Sequence, residues 1–244
     1  MDKSYELKYH NLEDKYWWFV GHRDIIYKLI KNFDRNIKIL EIGCASGSLL
    51  ELLIVNGFKN IYGIDISEEA IKLCKKKGIK NCHVMDAVNM KFKNEEFDLI
   101  IAADVLEHIK DHNIALNEWK RILKKNGKMI IFVPAFKFLW SDHDYINHHY
   151  RRYSKYELIK ALNDSNFNII RSSYWNFFLF FPVGLFRIIK RSFNIKNKNE
   201  KKDQLYELNP FINKIFINLL KFENSLMIML NFPIGISVFI MAKK

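Results

Sequence analysis

Two groups of residues in this 244-residue chain could do chemistry. The first is Ile39-Leu40-Glu41-Ile42-Gly43-Cys44-Ala45-Ser46-Gly47-Ser48, followed by a second apolar run that ends in an acid, Ile61-Tyr62-Gly63-Ile64-Asp65. Gly43 and Gly47 lack a Cβ, so a backbone turning there can pass close to a ligand. A carboxylate at the end of the next strand can accept both hydroxyls of a ribose. Together they predict a nucleoside-binding turn. A dinucleotide fingerprint would need glycine at 43, 45 and 48; the chain has Gly43, Ala45 and Ser48 and fails at two of three places. The second group is Trp140-Ser141-Asp142-His143-Asp144 with His149-Tyr150-Arg151-Arg152-Tyr153. Histidine with carboxylate nearby suits proton transfer near neutral pH. Arg151 and Arg152 could grip a phosphate in bidentate fashion, or hold their loop by ion pairs to Asp142 or Asp144.

The elements that position these groups follow from hydropathy. Apolar runs predict strands near 37–42, 60–64, 81–85, 97–102 and 128–133, with helices near 47–56, 67–77 and 112–124. This alternation implies right-handed crossovers and a parallel sheet covered on both faces, an α/β fold. Ser67 followed by Glu68 and Glu69 gives an N-cap with first-turn negative charge, and Ser154 with Glu157 forms a capping box opening a helix to about 163. Sixth and seventh strands are expected at 167–173 and 235–241. The organisation is a helical cap over 1–34, a core over 35–174, an amphipathic helical insertion over 175–232 and a final strand over 233–244. In the insertion, 211–230 should keep Lys214, Asn218, Lys221 and Ser225 on one face and Ile212, Ile215, Phe216, Leu219 and Leu220 on the other.

Charge is uneven. Residues 1–119 carry 17 Lys and Arg against 19 Asp and Glu, whereas 120–244 carry 22 against 8, so the field that attracts anions belongs to the second half. Residues 224–242 have no charge, but Pro233 and Gly235 interrupt them, and a helix followed by a strand fits better than a membrane span. Phenylalanines from Phe177 to Phe186 followed by a basic run predict that 175–202 either packs as an added layer or contacts a membrane surface. Cys44, Cys74 and Cys82 suit neither a disulfide framework nor a zinc site, which with the polar N-terminus implies a cytoplasmic protein, Cys44 being an apolar filler.

The turn around Gly43 resembles the E-x-G-x-G-x-G turn of class I S-adenosylmethionine (SAM) methyltransferases, with Ala45 in place of the middle glycine. Val84-Met85-Asp86-Ala87 and Ala103-Asp104-Val105-Leu106-Glu107-His108 follow in the matching order. The resemblance implies a Rossmann-like sheet of seven mostly parallel strands, the last antiparallel, with SAM as cofactor. It implies cofactor contacts from Glu41, Gly43, Ala45, Gly47, Asp65 and Ile66, with Asp86 and Ala87 on the adenine. Ala103, Asp104 and His108 would lie under the methionine part, and Arg23 would reach its carboxylate from the cap. The D-x-x-E-H at Asp104, Glu107 and His108 is also similar to the E-x-x-E-H of some quinone-biosynthesis O-methyltransferases that use a divalent ion. The same turn occurs in metal-free members, and no metal is expected. The pattern L-W-S-x-x-D-x-x-x-x-H-x-R-R-Y at 139–153 resembles a subfamily associated with surface-polysaccharide and lipid-linked glycan biosynthesis. That resemblance implies O-methylation of an anionic small-molecule, glycan-precursor or lipid-linked acceptor, with a quinone-type acceptor or a non-catalytic scaffold as alternatives.

An alcohol acceptor gains from a base, here His149, Asp144 or His143, with His149 favoured because it falls on the pattern; the alternative is a structural His149 bonded to Asp144. Arg151, Arg152, Tyr153, Trp140 and Trp18 are the expected substrate contacts. Nucleic acid is not an expected partner, because Ala103-Asp104-Val105-Leu106 is not the proline-containing turn that base amino-methylation uses.

Overall fold

In the computed structural model, which describes residues 3–192 and 208–244, helices α1 (Lys3–Glu13) and α2 (Trp17–Ile30) precede the first strand. The core then alternates β1 (Lys38–Ile42), α3 (Ser48–Val55), β2 (Asn60–Asp65), α4 (Glu68–Lys76), β3 (Cys82–Val84), β4 (Phe97–Ala103), α5 (His112–Ile122) and β5 (Leu123–Pro134). After it come α6 (Asp142–Ile146), α7 (Lys155–Asp164), β6 (Asn168–Trp175), α8 (Phe180–Ser192), α9 (Pro210–Met229) and β7 (Ser237–Lys243). Both expected caps are present: Ser67 accepts from the Ala70 N–H, and Ser154 and Glu157 close a reciprocal box.

The seven strands lie in the order β3-β2-β1-β4-β5-β7-β6, and β7 is antiparallel to both neighbours while the others share one direction. Chain order reverses between β1 and β4, so a crevice opens beyond their carboxyl ends, where open α/β sheets bind ligands. β5 begins five residues before its expected start. Phe97 pairs with Leu123 and Leu99 with Lys128, and the surplus residues bulge out through Asn126 at φ +67.

Each face of the sheet is covered. One buries Trp119, Leu116, Leu158 and Leu162 from α5 and α7; the other buries Ile25, Ile26, Leu50, Leu53, Leu220 and Met227 from α2, α3 and α9. In α9, Lys214, Asn218, Lys221 and Ser225 are exposed as expected, but so are Ile212 and Ile215, while Leu220 and Met227 are buried. Among the described residues no helix is long and apolar enough to cross a membrane. Phe181, Leu185 and Phe186 of α8 are exposed, and much of the expected basic run, 193–202, lies outside the described residues.

Candidate active site

The turn that leaves β1 is built by unusual backbone. Gly43, Ala45 and Gly47 all have positive φ, of 72, 45 and 80°. A Cβ on Gly43 would stand 2.6 Å from Val105 Cγ2, so glycine is required there for space as well as for φ. Ala45 tolerates the left-handed region because its N–H is held by Asp65 Oδ2 at 3.0 Å. The other carboxylate oxygen, Oδ1, accepts from the Ser67 N–H at 2.9 Å, so Asp65 ties the turn to the start of α4. Each oxygen keeps acceptor capacity for a ribose hydroxyl. Asp86, exposed after β3, accepts from the Val88 N–H, Ala87 presents its carbonyl to the Trp119 indole, and Ile66 is 76 % exposed beside Asp65.

A cavity of about 60 Å³ lies between the cap and the ends of β1 and β4, lined by Glu13, His22, Arg23, Glu41, Gly43, Ala103 and Asp104 among others. Its charges suit a cation. Glu41 is buried, with Oε2 lacking a partner, and burial together with the nearby Glu13 carboxylate raises its proton affinity well above normal. Burial pushes Asp104 up to about 7, against the pull of Arg152 and a hydrogen bond from Trp18. The sulfonium and ammonium of SAM fit this carboxyl set, Glu41 and Asp104 being the groups that would meet them. Arg23 borders the cavity as expected, but two of its donors go to the carbonyls of Glu13 and Asp14 at 2.5 and 3.1 Å, holding the end of α1. The sequence reading missed Glu13 and Asp14. Glu13 accepts from the Ser46 N–H at 3.1 Å and Asp14 from the Ser48 hydroxyl at 2.5 Å, which closes the cap on the turn. Trp18 packs edge-on to Trp175 and its indole donates to the Asp104 carboxyl.

The 140–153 segment assembles on Asp144, which is fully buried. Its Oδ1 accepts from His149 Nδ1 at 2.9 Å and Arg152 Nε at 2.7 Å, and its Oδ2 from Arg152 Nη2 at 3.0 Å and the Ser141 N–H at 2.8 Å. Burial alone would raise this acid, but these bonds hold it far below the usual range. Two expectations, for Arg152 and Tyr153, need correction here. Arg152 is 3 % exposed and gives its remaining described bond to the Ala135 carbonyl, so it is a structural ion pair and not a substrate clamp. Tyr153 is 2 % exposed in the core, with its hydroxyl on His112 Nδ1. Arg151 donates to the Lys110 carbonyl. His108 lies against the His149 ring, 4.5 Å between centroids, and is absent from the cavity lining. His143 packs edge-on to His149 at 5.8 Å, and Trp140 is half-buried with an indole N–H that has no partner. The structure adds Arg187 of α8, which donates to the Leu139 carbonyl and is lowered to about 10 by burial and by Arg152. Its only signal in the sequence was its place at the head of the basic run.

Comparison with known proteins agrees with this geometry. The family described as "Methyltransferase domain" matches residues 40–131. A ubiquinone biosynthesis O-methyltransferase of Pelagibacter ubique is 30 % identical over 167 residues, covering 57 % of this chain and 69 % of that protein. An uncharacterized protein of Methanocaldococcus jannaschii is 37 % identical over 107 residues, covering 43 % of this chain and 45 % of the other, so this chain spans only part of these curated relatives. A solved SAM-dependent methyltransferase from Archaeoglobus fulgidus shares the fold with a TM-score of 0.59 at 19 % identity, covering 97 % of this chain and 99 % of that one. With its strand order, its glycine turn closed by Asp65 and its carboxyl-lined cavity at the sheet's switch point, the chain belongs to the class I SAM-dependent methyltransferases.

Proposed function

We propose that this chain transfers the methyl group of SAM to an oxygen of a small anionic acceptor. The observation that carries the reading is the Asp144–His149 pair. Asp144 is an acceptor locked by Arg152, so His149 Nδ1 is the donor, and in the neutral imidazole Nε2 holds the lone pair. That lone pair, in the loop beyond the carboxyl end of β5, would take the proton of an acceptor hydroxyl as its oxygen bonds the methyl carbon. Glu41, Asp65, Asp86 and Asp104 would hold SAM, which when bound supplies an activated methyl group and its own leaving group. The residues of this chain then contribute orientation and exclusion of water, through Trp18, the cap and the buried Asp144 platform.

Arg187 and the positive second half of the chain support an anionic acceptor. A phenolic acceptor of the quinone type is a second reading, favoured by the Pelagibacter relative. The surface-glycan acceptor rests on the 139–153 pattern alone. Because Asp144, Arg152 and Tyr153 of that pattern serve the fold, the pattern speaks more for a loop structure than for an acceptor. Contact of α8 with an acidic bilayer belongs to the lipid-linked version of the proposal, supported by the exposed Phe181, Leu185 and Phe186. Flotation of the chain with acidic liposomes tests it, and a chain left at the bottom of the gradient removes it.

Calorimetry with SAM and its demethylated product tests the cofactor, and mass spectrometry of an extract supplied with chain and SAM should show an acidic hydroxyl compound gaining one methylene. His149→Ala should abolish that gain while SAM still binds. Undiminished turnover in His149→Ala would remove the assignment.

A further inference from the structure

We propose that Cys44, Cys74 and Cys82 form a binding site for one thiophilic d10 cation, of the Zn²⁺ or Cu⁺ kind, which clasps the glycine turn to α4 and β3. The site rests on geometry; its effect on the cofactor rests on the methyltransferase reading. Cysteine is scarce in this chain, three residues in 244, yet all three meet from three different parts of the fold. Their Sγ atoms lie within 4.8 Å of one another. Sequence spacing hid this, because the crossover through β2 and α4 is what brings Cys44 and Cys74 together.

Backbone fixes the approach. Cys44 leaves β1 with its N–H on the Ile64 carbonyl at 2.9 Å, Cys82 stands in register with Gly63 on the other side of β2, and Cys74 comes from α4. Two glycines make the room: a Cβ on Gly63 would stand 2.8 Å from Cys44 Sγ, and one on Gly47 2.9 Å from Cys74 Sγ. All three cysteines are buried, and the Cys74 thiol donates to the Ala45 carbonyl at 3.2 Å, with Cys44 Sγ 4.0 Å from the same oxygen. Three sulfurs and one carbonyl oxygen can thus serve a single ion.

Distance favours an ion over a disulfide. A cation about 2.3 Å from each sulfur holds neighbouring sulfurs about 3.8–4.0 Å apart, in tetrahedral or trigonal geometry, so shifts of under about 1 Å close the site. A disulfide needs two sulfurs at about 2.0 Å, and all three cysteines are free. Charge points the same way. Hydrogen bonds with Cys74 and Cys82, burial and the nearby Glu41 carboxyl all raise the proton affinity of the Cys44 thiol. A thiolate here therefore needs a cation that brings its own charge. About two protons leave as one divalent ion enters, which keeps the buried cluster neutral. Sulfur donors select d10 cations over Mg²⁺, Ca²⁺ or Mn²⁺. Cys44 borders the cofactor cavity, which gives the ion its way in. Ala45 is held at φ +45, a region disfavoured for a residue with a Cβ. An ion on Cys44 and the Ala45 carbonyl fixes that backbone before SAM arrives, so SAM has less to order.

The probe is Cd²⁺, a d10 ion whose bonds to thiolate absorb in the ultraviolet, unlike its bonds to oxygen or nitrogen. With three cysteines in the chain, such absorption can arise nowhere else. The reduced full chain is stripped with EDTA, exchanged into anaerobic buffer and titrated with CdCl₂, and the same samples go to thermal unfolding and to SAM calorimetry. We expect one Cd²⁺ per chain and a raised Tm. Binding should be about 100-fold or more weaker in Cys74→Ala and Cys82→Ala, and SAM should bind at least about fivefold tighter to the loaded chain. If both variants fail to fold, the wild-type absorption and Tm decide. Absence of thiolate absorption overturns the site, as does absorption with a lowered Tm, because cadmium then prefers the unfolded chain. Equal binding in a folded variant overturns it too. A loaded, stabilised chain with unchanged or weaker SAM binding upholds the site and removes its effect on the cofactor. One that ignores SAM both loaded and stripped upholds the site and removes the methyltransferase reading.

Discussion

The acid at the end of β4 sets how the cofactor pocket responds to pH. Asp104 has φ +55, lies 3.5 Å from His22 and is pushed up to about 7. His22 cannot neutralise it, because burial lowers that imidazole to about 3 and keeps it uncharged across the same window. Between the usual carboxylate range and pH 7 the folded chain holds a proton here that the unfolded chain has lost, so this group's contribution to stability falls as pH rises through that window. An ammonium or sulfonium in the cavity favours the ionised form. SAM affinity should therefore rise as pH increases through about 7, by up to about tenfold per unit on the acid side. Asp104→Asn should flatten the profile, and calorimetry at several pH values checks this. The neighbouring ion pair gives a second expectation. Arg152→Ala leaves Asp144 buried with a charge and no guanidinium, which should cost about 3–5 kcal/mol in urea unfolding. Arg151→Ala should cost under about 1 kcal/mol, because its bonds to the Lys110 carbonyl and the Tyr153 hydroxyl pair no buried charge. If the two variants are equally stable, the platform role of Arg152 is wrong.

Among the elements, the packing of α9 on α2 decides where the cap sits. A Cβ on Gly21 would come within 2.3 Å of Leu220 Cδ1 and 3.0 Å of its Cβ, so the helices cross at glycine because nothing larger fits. Asn224, fully buried, reinforces the crossing by donating to the Gly21 carbonyl at 2.8 Å and accepting from the Trp175 indole at 2.8 Å. Gly21→Ala should cost about 1–3 kcal/mol despite the better helix propensity of alanine, and Leu220→Ala on top of it should cost less than Leu220→Ala alone. A double-mutant cycle in urea with no coupling would contradict the close crossing. This contact also shows what was legible in the sequence. Strand and helix spans in the core appeared because hydropathy alternates with period 2 and 3.6, and Ser67 and Ser154 appeared because capping is local. The α2–α9 crossing, the Glu223 carboxylate bonded to the Phe177 and Phe178 N–H groups, and the Glu13–Ser46 closure join residues tens to hundreds apart. No local pattern carries them. The site divided in the same way: Gly43, Asp65 and the Asp144–His149 pair were readable from spacing, whereas Arg152 has the same side chain whether it grips a phosphate or an aspartate.

For the molecule as a whole, the cofactor pocket exists only where three distant parts meet: the cap, the glycine turn and the end of β4. Glu13 on the Ser46 N–H and Asp14 on Ser48 and Lys77 are the bonds that join the first two. A ligand seated between them binds the folded chain and not the unfolded one, so it stabilises every part of the fold by mass action. At a hundredfold excess over its Kd, SAM should add about 2.7 kcal/mol, which for a domain of this size is a rise in Tm of about 5–10 °C. Glu13→Ala removes one of the cap's two bonds to the turn, leaving that of Asp14 to Ser48, without changing a residue of β1, β2 or β4. The ligand-free Tm should then fall by about 3–12 °C, since one hydrogen bond to a charged group is worth about 1.5–3 kcal/mol. The SAM-induced rise at fixed concentration should shrink, because part of the binding energy must now order the cap. Differential scanning calorimetry at matched SAM concentrations separates the two effects. An undiminished rise in Glu13→Ala would mean that the turn and β4 bind SAM unaided, and that the cap contributes to the core but not to the pocket.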